Sequence, residues 1–95
     1  MTGNFNPRRV EELEVNEAED GLVIYDAAHD LVHHLNASSS MIFDLCDGTR
    51  DPETIAEILA EAYGLAESPR DQAFAGLEVL AGRKLIHWDP HGEAD

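Results

Sequence analysis

Three histidines, His29, His33 and His34, fall within six consecutive positions, and a single cysteine, Cys46, follows them. These are residue types from which a metal site or a nucleophile would be built. Along a strand, however, neighbouring side chains leave on opposite faces. His33 and His34 therefore cannot jointly ligate one ion, although a hairpin would bring His29 near His33. Solvated or hydrogen-bonded imidazoles are the simpler reading, and no metal is expected. Cys46 lies on an apolar helical stripe with no base spaced to select it, which reads as a buried thiol. Ser38, Ser39 and Ser40 have neither a lysine nor a glycine loop beside them and read as helix-start residues rather than phosphate ligands. None of the twenty Asp and Glu residues forms a recognisable acid and base pair beside a glycine-rich loop or metal motif. The sequence points away from catalysis and toward binding, with neither an enzymatic activity nor a cofactor expected.

Charge narrows the partners. Six Lys and Arg against the twenty acidic residues give a formal net charge of −14. Phosphate binding needs basic residues clustered on one face, and here they are dispersed as Arg8-Arg9, Arg50, Arg70 and Arg83-Lys84. Nucleic acid is not an expected partner, whereas a basic or neutral peptide is better received by such a field. No apolar run approaches the roughly 18 to 20 residues of a membrane span. MTGNFNPRRVEELEV also lacks the apolar centre of a signal peptide. A cytoplasmic protein with no membrane partner is expected, and a lone cysteine agrees with a reducing compartment.

The elements that must position these residues follow from periodicity. At 95 residues and 43% apolar content, the chain supports one domain with an aliphatic core. Residues 1–9 read as a flexible arm, 10–88 as the domain and 89–95 as a flexible tail. From Val10, VEELEVNE places Leu13 and Val15 on one face, a short half-buried strand, and EAEDG turns the chain. LVIYD (Leu22 to Asp26) is the strongest strand, and Leu31 to Leu35 returns antiparallel to it. On this third strand Leu31, His33 and Leu35 share one face, taken as core, and Val32 and His34 share the other.

Asn36 then caps a first helix through Met41, Ile42, Leu45 and Cys46, stopped by Gly48. Asp51 and Pro52 open a second helix that ends at Gly64, and Ser68 and Pro69 open a third that ends near Gly82. The predicted class is α+β: a small three-stranded antiparallel sheet followed by three helices, a winged helix-turn-helix arrangement.

The stretch HLNASSSMIFDLCDG, His34 to Gly48, resembles the PqqD-like family, small peptide-binding modules also called RiPP recognition elements and named after pyrroloquinoline quinone biosynthesis protein D. The similarity covers about residues 12 to 86. Asn36, Ile42, Phe43, Leu45, Asp47 and Gly48 stand where the family's pattern has them, and Thr49, Ile55 and Leu59 are similar to its continuation. Ser38 and Ser39 replace the usual Thr-Ala, and Lys84 replaces a Gly before Leu85-Ile86.

The resemblance implies a non-catalytic adaptor that binds the leader of a ribosomally made precursor peptide. It also implies presentation of that leader to a modifying enzyme, often a radical S-adenosylmethionine enzyme. It further implies strand addition to the edge of Leu31, Val32, His33, His34 and Leu35, in a groove walled by Phe74, Leu77, Glu78 and Ala81 of the third helix. An edge strand has unpaired N–H and C=O groups that an extended peptide can satisfy. Gly76, inside that helix, would then allow another backbone to approach closely. The alternatives from other classes are a DNA-binding winged-helix regulator and a module that pairs the same edge with a second copy of itself as a homodimer.

Overall fold

The computed structural model describes residues 6–88. Its main sheet is antiparallel with order β2-β3-β4, formed by Glu14–Ala18, Gly21–Asp26 and Leu31–Leu35. Three helices follow: α1 (Ala37–Leu45), α2 (Pro52–Tyr63) and α3 (Arg70–Gly82). This is the predicted α+β architecture. A second sheet, absent from the sequence reading, pairs β1 (Arg8–Arg9) with β5 (Ile86–His87).

Alternation explains the sheet. In β3, Leu22, Ile24 and Asp26 are buried while Val23 and Tyr25 are only partly so, and Leu35 of β4 joins the buried face. Helix α1 covers that face, and α2 and α3 close the core around Phe43, Ile55, Leu77, Leu80 and Leu85. The outer strand β2 is exposed along its whole length, and Val15 retains 45% of its surface, so the expected half-buried strand is overturned. Leu13, just outside it, is the residue that packs on the core.

Caps set the helix boundaries. The Asp51 carboxylate accepts from the Thr54 N–H at 2.8 Å with Pro52 in the first turn, and Gly64 closes α2 in the left-handed conformation at φ 65°. Helix α3 begins one residue later than the Ser68-Pro69 pair predicts. Pro69 takes the N-cap position without a side-chain cap, and its ring lines a groove beside Tyr63. After Gly82 the chain turns with Lys84 at φ 63°, the left-handed geometry that a glycine adopts without a Cβ penalty.

The N-terminal segment is built in from Asn6, whereas the sequence reading assigned residues 1–9 to an arm. Pro7 is buried, the Arg9 N–H donates to the Cys46 carbonyl at 2.9 Å, and the Arg9 guanidinium caps the Phe43 and Asp44 carbonyls at the end of α1. Residues 1–5 and the tail at 89–95 lie outside the described residues. Among the described residues, no helix is long and apolar enough to cross a membrane.

Candidate functional site

The sheet register decides which main-chain groups are free. Ala18 pairs with Gly21 across a two-residue turn, so Gly21, Val23 and Tyr25 direct their N–H and C=O groups to β2. Leu22, Ile24 and Asp26 therefore bond to Leu35, His33 and Leu31, their partners on β4. The remaining β4 residues, Val32 and His34, point theirs away from the sheet. Among the described residues, strand β4 has one neighbour and ends the sheet order, so within them this row of donors and acceptors is open.

Both ends of β4 are fixed. At its start the Asp26 carboxylate accepts from the His29 N–H at 3.3 Å and meets the His29 ring at 2.8 Å, while the Tyr25 hydroxyl donates to Asp30 at 3.2 Å. The hydrogen bond from His29 is the main reason the Asp26 carboxyl titrates below the ordinary carboxylate range. Asp30 sits at φ 54°, a conformation that Asp tolerates better than most residues. At the far end the Asn36 side chain accepts from the Ser39 N–H at 2.9 Å, and the Ser40 hydroxyl donates to the Leu35 carbonyl at 3.2 Å. Gly21 faces that junction, where a Cβ would collide with the Leu35 carbonyl oxygen. The His-Leu-Asn motif thus welds the edge strand to α1.

The Asp47-Gly48 motif is a turn lock rather than a binding element. The Asp47 carboxylate accepts from the Thr49 N–H at 2.9 Å, the Thr49 hydroxyl at 2.7 Å and Arg50 at 2.9 Å, with Gly48 at φ 87°. These bonds, Thr49 first, hold its carboxyl below the usual range.

The predicted side chains separate into several environments. Leu31 and Val32 are exposed at 51% and 57%, His34 is exposed on the outer face, and His33 is half-buried on the inner face. Leu35 is core. On α3, Leu77 is completely buried, so it belongs to the core and offers no open surface to a peptide. Phe74 is half-buried and stacks edge-on against Trp88 at 6.0 Å, Ala81 is half-buried and Glu78 is exposed. The helix packs on α2, α1 and β5. At Gly76 a Cβ would meet the end of the Ile42 side chain at 2.8 Å, so its smallness serves the α1 to α3 contact.

The sequence reading missed a groove of about 650 Å³ beyond the Leu35 end of β4, lined by Asn36, Ile42, Leu59, Tyr63, Pro69 and Gln72. Tyr63, exposed at the end of α2, was its sequence signal. Among the described residues no group of three or more His, Cys, Asp or Glu side chains is placed to hold a metal ion. Cys46 is buried, its Sγ donates to the Ile42 carbonyl at 3.1 Å, and burial pushes its thiol up to about 12.

Comparison with known proteins agrees with this architecture. No curated protein matches the sequence. Among solved structures, TbiB1 in complex with the TbiA(beta) leader peptide has a similar fold, with a TM-score of 0.72 at 21% identity. The match covers 93% of this chain and 99% of that one. The family model for coenzyme PQQ synthesis protein D (PqqD) matches residues 21–86, which include the β3-β4 hairpin and all three helices. The chain therefore belongs to the PqqD family.

Proposed function

We propose that this protein is a non-catalytic adaptor that takes the leader of a ribosomally synthesised precursor peptide as an added strand on β4 and presents it to a modifying enzyme. The observation that carries the reading is the open edge itself. Val32 and His34 direct two N–H and two C=O groups outward, and no charged residue lies between Leu31 and Leu35 to repel a guest strand. The opposite edge differs, because β2 carries Glu14 and Glu17 and continues into Glu19 and Asp20. Acidic side chains of this kind blunt an edge against pairing. The similarity to TbiB1, which is bound to a leader peptide, supports the same reading.

The proposed contact surface is Leu31, Val32, His33 and His34, with Leu35 as its floor and Phe74, Glu78 and Ala81 on the α3 side. The partner enzyme is of the class that modifies such precursors, of which radical S-adenosylmethionine enzymes are one kind. Hydrogen exchange provides the test, using a synthetic leader segment of a ribosomal precursor peptide. Saturating peptide should slow exchange at the Val32 and His34 amides while leaving the β2 amides unchanged. Protection confined to β2, or to the helices, would rule the proposed site out.

A further inference from the structure

The sheet leaves one atom of β4 unexplained. The His33 ring lies on the inner face between Leu31 and Leu35 and is partly buried, yet its Nε2 has no hydrogen-bond partner. It is the one buried side-chain nitrogen or oxygen in that condition among the described residues. Such an atom has lost water without replacement, and native proteins leave few of them. An apolar ring would fill the same place without that penalty.

The ladder places this imidazole where a guest would meet it. A strand laid against β4 bonds to Val32 and His34 and skips His33. In an antiparallel pair, the guest residue across from His33 then takes the non-hydrogen-bonded position, where Cα atoms approach to about 4.5 Å and side chains are closest. Its side chain leaves on the face that the imidazole occupies. The guest residues two before and two after it face Leu31 and Leu35. A guest side chain there would meet Nε2 once the ring turned about χ2, a soft torsion.

We propose that His33 is a specificity residue that hydrogen-bonds the hydroxyl or carboxamide of the leader residue opposite it, within an apolar, any, polar, any, apolar register. The proposal rests on the strand-addition reading. Hydroxyl and carboxamide groups both donate and accept, so they match either neutral imidazole tautomer. A carboxylate would be opposed by the net charge of −14. An apolar guest residue at this place would leave Nε2 unpaired and more deeply enclosed, so the contact discriminates by penalty as well as by attraction.

The test selects displayed random peptides of roughly 12 residues, about twice a typical strand, on the wild type, His33→Phe and Val32→Pro in parallel. The wild type should enrich Ser, Thr, Asn or Gln at one position about tenfold, flanked two residues away on each side by apolar residues. His33→Phe should lose the polar preference and keep the apolar flanks, and Val32→Pro should enrich both at least about fivefold less than the wild type. An unchanged polar preference on His33→Phe overturns the His33 assignment and leaves strand addition standing. The pattern appearing on Val32→Pro at the wild-type enrichment, or no enrichment on the wild type, overturns both. A second measurement needs no variant: the ¹⁵N resonance of His33 Nε2 should shift when a selected peptide binds, and an unmoved resonance overturns the assignment.

Discussion

Proline substitutions along β4 turn the sheet parity into a measurement. A proline removes one main-chain N–H and puts its ring where the hydrogen would be, so its effect depends on which way that N–H points. At Val32 and His34 the group faces away from the sheet, and the substitution leaves every β3 to β4 bond intact. Stability should change by no more than about 1 kcal/mol. An added strand, by contrast, exchanges two bonds with each of these residues, each worth about 0.5 to 1.5 kcal/mol net. Deleting one donor also leaves a guest carbonyl unsatisfied, so binding should weaken by about 1 to 3 kcal/mol, or roughly 5- to 150-fold.

His33 lies between them and behaves oppositely. Its N–H bonds to the carbonyl of Ile24, a residue with no exposed surface, and the loss should destabilise the fold by about 3 kcal/mol. Urea unfolding and fluorescence anisotropy with a labelled leader peptide separate the two quantities. If Val32→Pro and His34→Pro fold normally and bind as tightly as the wild type, strand addition is wrong. If they unfold as His33→Pro does, the parity is wrong.

Other expectations follow from single residues. Lys84→Gly removes a side chain from the left-handed conformation and should stabilise the fold by about 0.5 to 1 kcal/mol, read as a higher urea midpoint with an unchanged slope. Cys46, with its thiol raised to about 12, should resist a thiol-specific disulfide reagent at pH 8 in the folded protein and react when urea is added. Fast labelling without denaturant would contradict its burial. Asp26, Asp47 and Asp51 all have carboxyls lowered by hydrogen bonds in the fold, chiefly from His29, Thr49 and Thr54. The unfolded chain then binds more protons, so their stabilisation is complete above about pH 4 and is lost as pH falls through the folded values. Asp47→Asn should flatten the acid limb of the stability profile measured between about pH 2 and 5.

Most of the fold was legible because its elements carry strong local signals. LVIYD alternates and β-branches, and Asp51-Pro52 is a complete helix start. Strand β1 is two residues of arginine held by contacts with β5 and the Cys46 carbonyl, and no local pattern announces such a pairing. Leu77 shows the limit for the site. An apolar stripe on α3 tells which residues share a face but not which of them the other helices cover, and here they cover Leu77 completely. The packing role of Gly76 was hidden for the same reason, since Ile42, the side chain beside it, lies 34 positions away (76 − 42). The β4 edge was legible as a strand, but which of its amides face outward depends on the hairpin between β2 and β3.

The acidic rim along β2 has a consequence for assembly. A sheet with two receptive borders would let each molecule cap the next, and any leader long enough to bridge them would string adaptors into a chain. With one border guarded by Glu14 and Glu17, the proposed strand addition would stop after a single guest. On the proposed strand addition, loading would then saturate at one guest per sheet, leaving a discrete complex for the proposed partner enzyme to engage and release.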